Sequence, residues 1–317
     1  MMSAERRAAI DIGTVTVRLL VADVVDGEVR EVVRRSRITH LGEGWSSTGM
    51  LSDQGMARVT DAVAGFVSEA RESRADRIVA VATSASRDAS NNEEFLDRLE
   101  GAGVRPQIIS GSREGYLTFL GATYGIRDER VMVVDVGGGS TEIVLGTTAV
   151  VDGRRQVDIE AVRSVDVGSR RITEMFLESD PPTRAEIDRA SAWVADGLRP
   201  FFSGLRERPS EMVSVAGTAT SLAAIELKLD PYDPERIHGY RLSGSSLLDT
   251  LDHLARMTLA ERQDVIGLEP DRAGVIVAGA IVLQSVLAYA GLSSTLVSEH
   301  DILYGMMLDP FDDGGAG

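Results

Sequence analysis

The 317-residue sequence has no cysteine, which excludes disulfides, thiolate metal sites and cysteine nucleophiles and fits a cytoplasmic protein. It is almost without lysine. Lys228 is the only one and Leu227 precedes it, so no GxxxxGK[ST] phosphate loop exists. All other fixed positive charge is arginine, whose fork fits phosphate oxygens in pairs, although a GC-rich genome accounts for most of that bias. Aromatic residues make up 5% of the chain, and there is no low-complexity tract except the tail DDGGAG, expected with the first few residues to be disordered. The start, MMSAERRAAIDIG, lacks an apolar signal-peptide core, so secretion is not expected. One uncharged run, residues 273–292 (AGVIVAGAIVLQSVLAYAGL), has the length of a membrane span. It is rich in small residues, contains Gln284, Ser285 and Tyr289 and has no basic flanks, and so reads as a fully buried helix. The net charge of −16 argues against a sequence-independent grip on DNA or RNA. A polyphosphorylated ligand is still admitted, if backbone N–H groups, a few arginines and a divalent cation neutralise it locally.

With 43% hydrophobic and 26% charged residues, the chain has the composition of a folded protein and the length of two domains. Its most informative stretch is residues 131–145, VMVVDVGGGSTEIVL. Val131 to Val134 read as a buried strand ending in Asp135, and Thr141 onward reads as a second strand. A dinucleotide-binding loop would need glycine where Glu142 stands and a helix to follow, so that reading fails and a hairpin is expected. The same pattern occurs 124 residues earlier in AAIDIGTVTVRLLVADV. Asp11 falls on Asp135, Gly13 on Gly137, Thr14 on Gly138, Thr16 on Ser140 and Arg18 on Glu142. In each copy, glycine with φ above zero is expected to allow the turn, and successive N–H groups to form a nest for phosphate. The bare backbone of Gly137, Gly138 and Gly139 would let phosphate oxygens approach N–H groups directly, beside the Ser140 and Thr141 hydroxyls. A third turn, Gly217-Thr218-Ala219-Thr220, leads a short strand into a helix whose first N–H groups are unpaired.

The motifs AIDIGTVTVRLLV, VATSASRDASNNEEFL, IISGSREGYLTFLGA, VVDVGGGSTEIVLG, VAGTATSLAA and VSEHDILYGMML, in this order from about Ala8 to Leu308, resemble the exopolyphosphatase and guanosine pentaphosphate phosphohydrolase family. The resemblance implies an α/β fold of two ribonuclease-H-like domains of the actin-like ATPase superfamily, facing each other across a cleft. On that basis residues 1–124 form the first domain, joined by the C-terminal helix 299–309, and residues 125–298 the second, with the boundary near Gly121 to Asp128. It implies that Glu114 activates the attacking water, that Asp135 and Glu142 hold Mg2+, and that Arg87 and Ser84 lie on an anion-binding loop. Asp11, Gly13, Thr14, Thr16, Arg18, Gly217, Thr218 and Arg272 join them as candidate phosphate contacts, although Arg272 could equally be part of a structural N-cap pair with Asp271. Two departures remove polar groups: Val15 stands where the family usually has asparagine, and Leu303 where it commonly has arginine. His40, His238, His253 and His300 show no metal spacing and read as surface or hydrogen-bonding residues.

The implied activity is Mg2+-dependent hydrolysis of the terminal phosphoanhydride of inorganic polyphosphate or of the 5′ γ-phosphate of guanosine pentaphosphate. A phosphotransferase of the same superfamily, or a low-activity protein that senses polyphosphate or an alarmone, stays open as an alternative. Expected partners are one of those small-molecule substrates and a second copy of the chain in a homodimer, with neither nucleic acid nor membrane.

Overall fold

The computed structural model describes residues 5–126, 129–151 and 154–309. The expected disorder of the first residues and the tail, and the Arg127-Asp128 end of the expected boundary, fall outside them. Eleven strands among the described residues form two mixed sheets. In the first, β1 (Glu5–Ile12), β2 (Thr16–Val25) and β3 (Glu28–Ile38) run antiparallel. There β4 (Arg77–Ala82) and β5 (Gln107–Ile108) add parallel on the other side of β1, giving the order β3-β2-β1-β4-β5. The second sheet repeats that order with β6 (Arg130–Val136), β7 (Thr141–Val151), β8 (Arg154–Val165), β9 (Glu211–Val215) and β11 (Ser294–Val297). It adds β10 (Tyr240–Ser243) antiparallel at the edge beside β11. The fold is α/β, with the ribonuclease-H-like strand order present twice.

The sequence explains the elements locally. Helix Asp53–Glu72 starts at Ser52, whose hydroxyl accepts the Gly55 N–H, and it buries Met56, Val59, Val63, Phe66, Val67 and Ala70 at helical spacing against the first sheet. Helix Arg184–Ser203 opens with a reciprocal capping box between Thr183 and Glu186. The uncharged run yields helix Ile276–Ala290, nearly all of it inside the core of the second sheet. Each large aliphatic side chain it buries contributes roughly 1.5–3 kcal/mol of transfer free energy. It is too short to span a bilayer, and no helix among the described residues is long and apolar enough to do so.

Helix Gly111–Ala122 ties the two sheets together. Leu117 packs with Ala9, Leu20 and Val81 of the first sheet, and Phe119 with Val131, Val133 and Val144 of the second. The final helix, Ile302–Leu308, returns to pack on the first sheet and on helix Gly111–Ala122. The two helices meet backbone to backbone. A Cβ on Gly121 would overlap the Asp301 carbonyl, and one on Gly305 would overlap the Leu117 carbonyl. Neither obstacle is a flexible side chain, so Gly121→Ala should lower stability by about 1–3 kcal/mol, the usual range for overpacking. A denaturant titration with an unchanged slope and a lowered midpoint would show this, and an unchanged midpoint would show that the helices can separate freely.

Candidate active site

The repeat seen in the sequence is a repeat in register. Asp11 lies opposite Arg18 across β1 and β2, and Asp135 lies opposite Glu142 across β6 and β7. At the tips, the Gly13 N–H donates to the Thr16 carbonyl and the Gly137 N–H to the Ser140 carbonyl, each at 3.0 Å. Two expectations change here. The N–H groups of Gly13 and Gly137 already serve their own hairpins. Those of Thr14, Val15, Gly138 and Gly139 make no hydrogen bond among the described residues, and they are the donors left for an anion. Nor does any of Gly13, Gly137, Gly138 or Gly139 have positive φ. Bare backbone is needed because neighbours press close: a Cβ on Gly138 would come within 2.5 Å of Val15 Cγ2 on the other hairpin, and one on Gly139 would overlap the Ser84 hydroxyl.

Between the hairpins lies a cavity of about 80 Å³, room for a few waters. Its lining includes Asp11, Thr14, Thr16 and Arg18 from the first hairpin and Asp135, Gly137, Gly138, Gly139 and Ser140 from the second. Ser84, Glu114, Gly217, Thr218 and Arg272 complete the walls. The Ser84 hydroxyl is buried without a hydrogen-bond partner, a donor available to a ligand. Ala216, at the start of helix Ala216–Leu227, has φ 62°, a costly conformation for alanine, and no side chain caps the helix there. Thr14 accepts the Ala85 N–H at 3.3 Å, and the Thr218 hydroxyl donates to the Val136 carbonyl at 3.3 Å, so its proton is already engaged.

Several candidates lie elsewhere than expected. Thr141 donates its hydroxyl to the Val167 carbonyl at 2.5 Å and does not line the cavity. Glu142 sits behind the cavity wall, where it accepts hydrogen bonds from Ser140 at 2.8 Å and Ser164 at 2.6 Å. Arg87 does not line the cavity. Its guanidinium donates to the Ile109 carbonyl at 3.1 Å and to Glu114 at 3.2 Å, so it faces the carboxylate. Arg18 is held by Asp11 at 2.5 Å and by Asp301. Arg272 is not an N-cap group: it crosses from the second sheet's side to donate to Thr16 at 3.4 Å, with its guanidinium pressed on Gly217.

Sequence reasoning missed Asp301. One of its oxygens accepts the Leu303 N–H as an N-cap while the other binds Arg18. Its only signal was membership of the motif VSEHDILYGMML. Leu303 is buried in the core beside it. Of the histidines, His40 contacts Arg170, His238 accepts the Glu299 N–H at 3.3 Å, His300 stacks on Tyr304 and His253 is exposed.

The site is a concentration of carboxylates with too little positive charge. Burial first, then Glu142 and Asp135, push the Glu114 carboxyl well above its ordinary range, and Arg87 offsets only part of this. Burial likewise pushes Asp135 up to about 8, against the pull of Arg18 and with Glu142 adding to the rise. Glu142 is raised by burial, opposed by the Ser164 and Ser140 hydroxyls, and Asp11 is raised by burial against its bond to Arg18. The Asp135 carboxylate accepts no hydrogen bond among the described residues, although it borders the cavity. A hard divalent cation suits such a pair. Among the described residues no group of three or more acidic or histidine ligands surrounds one point. Asp135, on the cavity wall, would therefore hold the ion with water and phosphate oxygens, and Glu142, expected as a second ligand, would add its charge from behind the wall.

These shifts have a definite sign. A carboxyl whose folded pKa is raised keeps its proton longer in the native state than in the unfolded one, so its contribution to stability is lost as pH rises through the folded value. For Asp135 the window runs from about 4 to about 8. Metal-free protein should show a falling melting temperature as pH rises across that window, and a divalent cation should restore more stability at its upper end than at its lower. A melting temperature that rises with pH without metal would contradict the assignment.

A sequence model of the Ppx/GppA phosphatase family matches residues 20–309. Exopolyphosphatase 2 of Mycobacterium tuberculosis is 39% identical over 97% of this chain and 99% of its own length. Exopolyphosphatase 1 of Mycobacterium bovis is 29% identical over 98% of this chain and 90% of its own. Among solved structures, an exopolyphosphatase-like protein superposes with a TM-score of 0.89 at 36% identity, covering 96% of this chain and 97% of that one. The Aquifex aeolicus member of the family gives 0.78 at 31% identity, covering 96% and 97%. With its site formed where two equivalent hairpins meet a buried glutamate, the chain belongs to the Ppx/GppA phosphatase family.

Proposed function

We propose that the chain is a magnesium-dependent phosphoanhydride hydrolase that releases the terminal phosphate of inorganic polyphosphate. The observation that carries this reading is the position of Glu114, on the same cavity as the free N–H groups of both hairpins. Those N–H groups and the Ser84 hydroxyl would hold the terminal phosphoryl oxygens, fixed donors that need no reorganisation as charge develops. Magnesium held by Asp135, with Glu142 behind it, would neutralise phosphate charge, and its presence would favour the ionised form of Glu114. Glu114 takes a proton from water, the water oxygen bonds to the terminal phosphorus, and the bridging P–O bond breaks with its electron pair going to the shortened chain. Arg87 orients Glu114 by its hydrogen bond and partly offsets the burial and neighbouring carboxylates that disfavour its charged form.

The names of the relatives favour polyphosphate. Guanosine pentaphosphate is kept as a second substrate by one feature: a larger cavity of about 1220 Å³, with the exposed ring of Tyr232 on its wall, adjoins the site and could take a nucleoside.

Phosphate release from both substrates, wild type beside Glu114→Gln, tests the reading. The substitution keeps the shape and removes the base, so kcat should fall by about 10²- to 10⁴-fold with KM changed little. Equal rates would remove Glu114 from the chemistry. A chelator should abolish release and added magnesium restore it, whereas persistence in the chelator would exclude the metal.

A further inference from the structure

We infer that this chain is selective for short phosphoanhydride chains, because the cavity into which its cleft leads repels a long polyanion. The inference rests on the hydrolase reading above and concerns what lies beyond the first phosphates. The small cavity and the large one share the walls Arg18, Ala216, Gly217 and Arg272. Around the hairpin tips the two sides are joined. Arg170 meets His40, the Gly44 N–H donates to Glu174 at 3.1 Å, and Val15 lies against Gly138. Phosphates further along a long chain are thereby directed past Arg272 into the large cavity.

That cavity is lined by seven carboxylates and four arginines. Every one of the arginines is already matched. Arg18 is held by Asp11 and Asp301, Arg34 by Glu31 at 2.7 Å, Arg35 by Glu69 at 2.6 Å and Arg272 by Glu269 at 3.2 Å. By contrast Asp230, Glu235 and Asp264 have no salt-bridge partner among the described residues. The two histidines on the wall add no charge at neutral pH: burial lowers His238, and burial with His238 and Arg34 nearby lowers His300 to about 4. Leu303 places an aliphatic group on the same wall. A run of phosphates here would meet negative charge that no free guanidinium offsets, whereas a chain short enough to end near Arg272 would not enter.

The test compares kcat/KM per chain end, under magnesium and at low salt, for tripolyphosphate and long-chain polyphosphate. Long chains should be poorer by about tenfold or more, a factor equivalent to about 1.4 kcal/mol. Raising salt should narrow the gap, since the repulsion is screened. The variant Asp230→Asn/Glu235→Gln/Asp264→Asn removes the three unpaired negative charges from this wall. It should raise long-chain kcat/KM and leave tripolyphosphate turnover within about twofold, well under the factor of ten that 1.4 kcal/mol represents. Equal or better use of long chains by the wild type would overturn the inference and leave the hydrolase reading standing. A preference for short chains that neither salt nor the charge variant alters would overturn the electrostatic cause. No hydrolysis of either polyphosphate would sink the polyphosphate hydrolase reading and this inference with it. If the variant fails to fold, the salt dependence of the wild-type ratio still decides.

Discussion

Four acidic side chains, Asp11, Glu114, Asp135 and Glu142, are held together where the two sheets meet, with Arg18 as the cation set among them. Like charges in a poorly solvated place are unfavourable unless protons or cations accompany them. The fold keeps them there by covalent and packing constraints that leave no alternative. Asp11 and Asp135 end central strands of their sheets. Glu114 sits in the first turn of a helix locked between both sheets by Leu117 on one side and Phe119 on the other. Much of the architecture serves to hold this electrostatic tension in place.

The sequence carried the parts of this that are local. An apolar β-branched run ending in aspartate, a glycine turn and a return strand can be read within fifteen residues. The second copy is found by simple offset. Helix Ile276–Ala290 was legible because an uncharged run rich in small residues has few other places to go. Glu114 was legible only through resemblance, since a glutamate in a first helical turn is ordinary on dipole grounds alone.

Long-range partnerships were not legible. Asp301 and Arg18 are 283 residues apart, and nothing in either neighbourhood announces the other. Arg87 was expected to face an anion but faces Glu114, a matter of side-chain direction that spacing does not encode. The glycine run was legible, but the neighbours that leave no room for side chains at Gly138 and Gly139, Val15 and Ser84, are distant in sequence and were not.

The two hairpins match in register but not in sign. Opposite the strand-end aspartate one carries Arg18 and the other Glu142, so one half supplies its own counter-ion and the other sets two carboxylates face to face. A ligand built of identical phosphate units has no head or tail of its own. Between a half with a resident cation and a half with a second carboxylate in its place, it would acquire both.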